Sequence, residues 1–330
     1  MKDKILFRLI WNRFRKDKLS MLSFLFILML LIISIFPYKF MVDKTKYASK
    51  MNLEISTIDP MTKLTILNIN NEEIIVSDYI NTSNGIKYIR CGESDYVNYQ
   101  GFYEIKERMF FFGTDRYGRD YYSRLIYGTR ISISIGFISV LISLIIGVFL
   151  GSISGYFGGF VDDAVMFLIN IVWSIPTLLM VIAITLALGK GYWQVFLAVG
   201  LTMWVEIARV VRGEFISQKR RQYVEAARVL GFTNFRIIFK HILPNVLSSI
   251  IVISAANFAA AILIEAGLSF LGLGVQPPAP SWGAMIKDHY NYILMDKSYL
   301  SIIPGLSIML TVLAFILFGN GLRDSFDVKE

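Results

Sequence analysis

Long apolar runs with few charges alternate with short polar stretches along most of this chain. The runs are Met21–Phe36, Ile131–Gly151, Ala164–Leu188, Trp193–Val211, Val246–Leu273 and Ile302–Phe318. Runs of about 18 or more apolar residues form helices that cross a bilayer. The pattern therefore predicts about six transmembrane helices. Met21–Phe36 has the length and composition of a long signal-peptide core. No small-x-small cleavage site follows it, and Pro37-Tyr38-Lys39 comes next. It reads as a retained first span. The third run contains Ile175-Pro176, which predicts a kink, since proline removes one helical hydrogen bond.

Only residues 39–111 break the pattern at length. This polar stretch is too long for a simple connection and predicts a small folded insertion. Lys63–Val76 reads as a β-hairpin, with Leu64, Ile66 and Ile74-Ile75-Val76 as strand formers and Asn70-Asn71 as the turn. Asn81-Thr82-Ser83 matches a glycosylation triplet. Three parts follow: 1–38, a basic N-terminus and the first span; 39–111, the insertion; and 112–330, a core of five spans.

Composition agrees with a membrane protein. Of 330 residues, 55% are hydrophobic, and the mean hydropathy is +0.55. The net charge of +8 is concentrated in two places. Residues 1–19 carry Lys2, Lys4, Arg8, Arg13, Arg15, Lys16 and Lys18 against Asp3 and Asp17. Residues 209–240 carry Arg209, Arg212, Lys219, Arg220, Arg221, Arg228, Arg236 and Lys240 against Glu214 and Glu225. Basic short loops face the cytoplasm. Both segments then lie inside, both termini are cytoplasmic, and the insertion is extracytoplasmic. Topology accounts for the charge without nucleic acid. Cys91 is the single cysteine, the two histidines are His241 and His289, and no cluster has metal-ligand spacing. A phosphate-binding G-x-x-x-x-G-K-[ST] loop is absent from the sequence.

Glu225 to Pro244, EAARVLGFTNFRIIFKHILP, is a basic amphipathic stretch between two apolar runs. It predicts a helix, a bend at Gly231, a second helix and a stop at Pro244. Ala226 and Ala227 keep one face low, where another protein can pack closely. The spacing of Glu225, Ala226, Ala227, Gly231, His241, Leu243 and Pro244 resembles the EAA loop of membrane subunits of ABC importers. Two further segments narrow the resemblance to the oligopeptide, dipeptide and nickel class. Gly113-Thr114-Asp115, Gly118-Arg119-Asp120, Ser123-Arg124, Gly128 and Arg130 are similar to a segment that precedes the second span. Leu268 to Gly283, LSFLGLGVQPPAPSWG, resembles a signature loop that follows the fifth. The C-terminal Gly319-Asn320-Gly321-Leu322-Arg323-Asp324 resembles a G-D-G-L-R-D tail, with Asn320 in place of the acid.

The resemblance implies an all-α polytopic fold of the type I ABC importer permease kind, with the insertion added. It implies a permease in a prokaryotic cell membrane that makes no bonds in its substrate. The implied partners are a sister permease, two ATP-binding subunits or one fused pair, an extracytoplasmic solute-binding protein and membrane lipid. ATP and Mg would sit on the partner subunits and no cofactor on this chain. Peptides, nickel and metal-chelator complexes are the implied cargoes. Tyr223, Glu225, Ala226, Ala227, Gly231, His241, Leu243 and Pro244 would form the ATPase-subunit contact.

Other residues invite separate readings. Gly147, Gly151, Gly155 and Gly159 form a small-residue ridge for helix packing, within the subunit or against a partner. Asp162-Asp163 suits capping of a helix N-terminus or acid/base work. Gly113 to Tyr127 reads as a turn and an amphipathic helix on the outer membrane surface, and Trp282 as an interfacial anchor. Glu265 lies deep in a span, as a structural acid or as lining of a translocation path. An intramembrane enzyme would draw on Asp162, Asp163, Glu206, His241 and Glu265. A secondary transporter would need no ATPase-docking loop.

Overall fold

The computed structural model describes residues 10–326 apart from 71, 83, 84 and 190. The basic Lys2, Lys4 and Arg8, the hairpin residue Asn71 and the triplet residue Ser83 lie outside the described residues.

The apolar runs form α1 (Lys18–Ile35), α2 (Tyr121–Phe157), the pair α3 (Gly159–Trp173) and α4 (Thr177–Leu188), α5 (Tyr192–Lys219), and, after the short α6 (Gln222–Val229), α7 (Leu243–Phe270). Another short helix, α8 (Trp282–His289), precedes α9 (Tyr299–Phe326). Among the described residues, five helices are long and apolar enough to cross a membrane, and the α3–α4 pair makes up to six. The kink expected at Ile175-Pro176 is a break. The two halves meet at 89°, and Pro176 occupies the N-cap of α4.

The separate surface helix expected over 113–127 does not form. A turn over 113–120 leads into α2, which runs unbroken from Tyr121 to Phe157. Its 37 residues reach about 55 Å, well beyond a hydrocarbon core of about 30 Å. Tyr121, Arg124 and Tyr127 are buried against protein. Gly128 keeps the helix thin enough there for Trp282 to pack, since a Cβ would lie 3.1 Å from Trp282 Cδ1. Trp282 is accordingly no interfacial anchor. It is 1% exposed and donates from Nε1 to the Leu125 carbonyl at 3.3 Å.

The glycine ridge packs inside the subunit. A Cβ on Gly147, Gly151 or Gly155 would meet the Trp204, Ala208 or Arg212 carbonyl at 2.5–2.7 Å. α2 and α5 therefore approach to backbone contact, and α5 returns the fit with Gly200 against Ile142. Gly159 is not part of the ridge. No heavy atom lies within 4 Å of its would-be Cβ.

The insertion holds an antiparallel sheet of β1 (Thr62–Ile69), β2 (Glu72–Thr82), β3 (Gly85–Arg90), β4 (Val97–Tyr99) and β5 (Tyr103–Phe110), in the order β4-β3-β2-β1-β5. The expected hairpin is β1–β2, with Thr65 opposite Val76 and Ile69 opposite Glu72. The sheet is larger than that hairpin because β5 pairs with β1 along its whole length, from Thr62–Phe110 to Ile69–Tyr103. Alternation in β1 sends Leu67 and Ile69 to one core and Ile66 to another with Ile55, Ile75 and Phe110. The 51–58 segment seats the sheet on the helical core. Gly118 faces it so closely that a Cβ would lie 1.7 Å from the Asn52 carbonyl oxygen.

Candidate functional site

α6 and the turn after it form an elbow between α5 and α7. α6 ends by a left-handed glycine. Gly231 has φ +71, its N–H donates to the Arg228 carbonyl at 2.9 Å, and Phe232 N–H reaches back to Ala227 at 3.1 Å. These two bonds close a Schellman motif. The chain restarts at Thr233, whose hydroxyl accepts from Arg236 N–H.

The second helix of the elbow does not stop at Pro244. Helix continues from Asn234 to Phe270, with a π-helical segment over Ile237–Ile242. Pro244 lies where the π-helical segment passes into α7, and it contributes no N–H to the ladder there. The widened turn places Leu243 N–H on Ile238 O. Asn245 Nδ2 donates to the His241 carbonyl at 2.7 Å and to Tyr223 Oη at 3.3 Å. Tyr223 in turn donates to Gln218 at 2.9 Å. Tyr223 and Asn245 thus tie α6 to both long helices.

The two alanines do not share a face. Ala226 is exposed, whereas Ala227 is 4% exposed and lies with Val224 in a core that includes Tyr156, Val211, Phe215, Ile237 and Ile242. Successive helical residues point about 100° apart, and the turn from Ala226 to Ala227 carries the second alanine into the core. The outward surface is apolar in a way the motif alone did not reveal. Val229 is 88% exposed, Leu230 69% and Phe235 71%, and Phe235 and Phe239 rings lie 4.5 Å apart. Arg221, Arg228, Arg236 and Lys240 are exposed around them. Glu225 and Pro244 are exposed, and Leu243 is half-buried beside the core. The His241 ring stacks on Phe232 at 5.4 Å. Tyr156 donates to Asn234 Oδ1 at 2.8 Å, anchoring the elbow to α2.

The other acids occupy separate settings. Asp162 caps nothing. Its carboxylate takes both Arg212 Nε and Nη2 at 2.6 Å, and Ser154 Oγ donates to it. This bidentate pair pins the corner between α2 and α3 to α5. Asp163 and Glu206 are exposed. Glu265 is fully buried. Ser269 Oγ donates to its Oε1 at 2.7 Å and Ser132 Oγ to its Oε2 at 3.4 Å. Ser132 also accepts Trp282 N–H at 3.3 Å, so Glu265 joins α7, α2 and α8.

The 113–120 turn is a second polar cluster. Asp115 is fully buried and accepts Tyr117 N–H at 2.9 Å, Arg119 N–H at 3.0 Å and Arg119 Nε at 2.6 Å. Asp120 caps α2 through Ser123 N–H at 2.9 Å. The Ser123 hydroxyl accepts from Val42 and Asp43 N–H groups, which fixes the chain leaving α1.

Residues 147–329, which hold the glycine ridge, the elbow and α7, match the family described as binding-protein-dependent transport system inner membrane component. The chain belongs to this family. Residues 6–53 match the N-terminal transmembrane domain of oligopeptide transport permease C. The sheet lies between the two matches. The glutathione transport system permease protein GsiD of Pectobacterium atrosepticum is 40% identical over 71% of this chain and 78% of its own. The dipeptide transport system permease protein DppC of Bacillus subtilis is 42% identical over 66% and 68%. A GsiD of Escherichia coli is 32% identical over 97% and 89%. The inward-facing methionine ABC transporter MetNI shares the fold, with a TM-score of 0.51 at 18% identity over 61% of this chain and 95% of that one. The chain is thus a multi-pass inner-membrane permease of an ABC importer.

Proposed function

We propose that this permease forms, with a sister permease, the translocation path of an ATP-driven peptide importer. Two ATP-binding subunits, separate or fused, dock on the elbow and hydrolyse ATP with Mg. An extracytoplasmic solute-binding protein delivers the peptide. The names of the relatives support peptides over nickel or metal-chelator cargo. The basic elbow and the basic residues Arg13, Arg15, Lys16 and Lys18 before α1 support a cytoplasmic N-terminus and elbow. An even number of spans then puts the C-terminus on the same side.

The observation that carries the reading is the elbow's exposed apolar surface. Val229, Leu230 and Phe235 stand in solvent beside Tyr223, Glu225 and Ala226, while Val224, Ala227 and the Schellman turn fix their direction from behind. A rigid apolar projection with a basic rim fits a groove on another protein. Gly231, His241, Leu243 and Pro244 belong to the turn and the helix start that carry the projection. Glu265 is assigned a structural role in joining three helices.

Co-purification tests this. Leu230→Asp places a charge in the apolar centre without touching the core. The tagged variant is expected to retain the sister permease and lose the ATP-binding subunits. Retention of both at wild-type stoichiometry would refute docking at the elbow.

A further inference from the structure

A cavity of about 240 Å³ lies between the 113–120 turn, the loop after α7 and the start of α8. Its polar lining is strongly cationic. Arg116, Arg119, Arg124 and Lys287 contribute, against Asp288 in the wall and Asp115 behind it. Met51 of the insertion, Val275 and Pro277 give it an apolar side.

The charges do not balance locally. Asp115 accepts from Arg119 and two backbone N–H groups and is shared with Arg124 as an ion pair. Arg124 is 4% exposed, yet its Nε sits 3.6 Å from Asp115 and has no hydrogen-bond partner among the described residues. Among the described residues the guanidinium hydrogen-bonds the Tyr47 carbonyl alone, at 3.4 Å. Arg116 shares Asp288 at 3.4 Å, and Lys287 forms no ion pair among the described residues. A buried cation with an unused donor is stabilised by an anion brought to it. Guanidinium groups present paired donors that match the two oxygens of a carboxylate. Since a water molecule occupies about 30 Å³, the cavity is large enough for a carboxylate and its adjoining peptide unit.

We propose that this cavity binds the C-terminal carboxylate of an incoming peptide through Arg124, Arg116 and Lys287, with the residue's side chain against Met51, Val275 and Pro277. The ligand class rests on the peptide reading above. The insertion then has a part in substrate handling, because its Met51 lines the cavity. Arg119 is a positioning residue. It takes the short bond to Asp115, at 2.6 Å, and leaves Arg124 a 3.6 Å ion pair with the same carboxylate and no hydrogen bond to it.

The test uses the intact importer, reconstituted in liposomes with its binding protein, and compares uptake of tri-alanine with its C-terminal amide. Arg116→Ala, Lys287→Ala and the double variant remove rim cations and leave the Asp115–Arg119 bond intact. Loss of a charge-assisted contact is expected to lower free-acid uptake at low concentration by about tenfold, with amide uptake unchanged. Any preference of the binding protein is the same for wild type and variants, so the signature is a smaller acid-to-amide ratio in the variants. An unchanged ratio in correctly assembled variants would overturn the site and leave the peptide reading standing. Failure of the wild-type complex to take up either peptide would overturn the peptide reading and the ligand together.

Discussion

Substitution of Gly231 isolates backbone conformation from packing. The residue holds φ +71, and a Cβ there would meet nothing within 4 Å. Any penalty is therefore conformational. An L-residue in the left-handed region costs about 1–2 kcal/mol, with a β-branched side chain at the upper end and Asn at the lower. One to two kcal/mol changes a population by a factor of about 5–30. The strain falls on the two Schellman bonds, Phe232 to Ala227 and Gly231 to Arg228. Losing them frees the last turn of α6 and re-aims Val229 and Leu230. Substrate-stimulated ATPase activity of the reconstituted complex should thus fall in the order Gly, Asn, Ala, Val. Basal assembly with the sister permease should persist, because no membrane-spanning contact is altered. Full stimulation in Gly231→Val would refute the reasoning. Equal losses in Asn, Ala and Val would also refute it, since they would indicate a direct contact at the Cβ.

Ala226 and Ala227 are expected to part company. Ala226→Arg should leave the thermal midpoint of the purified permease within a degree or two while lowering recovery of ATP-binding subunits, whereas Ala227→Arg buries a charge in the elbow core and should cost several kcal/mol of stability. Matching melting curves for the two would count against the orientation of α6. Cys91 is half-buried, and burial, followed by the nearby Glu54 charge, pushes its thiol up from the usual range. Thiolate is the reactive form, so labelling by an impermeant maleimide should be slow at neutral pH and rise at a higher pH than for a free thiol. Labelling at pH 7 as fast as a free peptide thiol would contradict this setting.

Much of the helical architecture is legible because it rests on local signals. Charge-poor runs demand helices in a bilayer, Pro176 breaks one of them, and Gly231 marks a left-handed turn. The sequence also contains the signal that separates the alanines, since Val224 and Ala227 are three apart and face one core. Motif spacing concealed it by presenting Ala226 and Ala227 as a unit. What was not legible depends on partners distant in the chain. Asp162 finds Arg212, Glu265 finds Ser132, and Trp282 enters a slot beside Gly128. The extent of the sheet was hidden for a related reason. β5 alternates charged and apolar residues that become a strand signal only when it pairs with β1, more than thirty residues earlier.

The elbow's core indicates where a push on it would go. Val224 and Ala227 of α6 pack in one cluster with Tyr156 of α2, Ile207, Val211 and Phe215 of α5, and Val246 and Ile250 of α7. The glycine ridge locks α2 to α5 at backbone distance, and the Asp162–Arg212 pair closes the same corner. Close-packed interiors shift as bodies rather than deform smoothly. If the ATP-binding subunits dock on α6 as proposed, their movement reaches α2, α5 and α7 together. α4 lies beyond the 89° break and packs through Val181 in a second cluster with Ile131 of α2, Val195 and Val199 of α5 and Ala261 of α7. Both halves of the broken helix therefore rest on the same three helices, α3 through Ile169 and the Asp162–Arg212 pair and α4 through Val181, so a push delivered at a docked elbow would carry them with the group as one body.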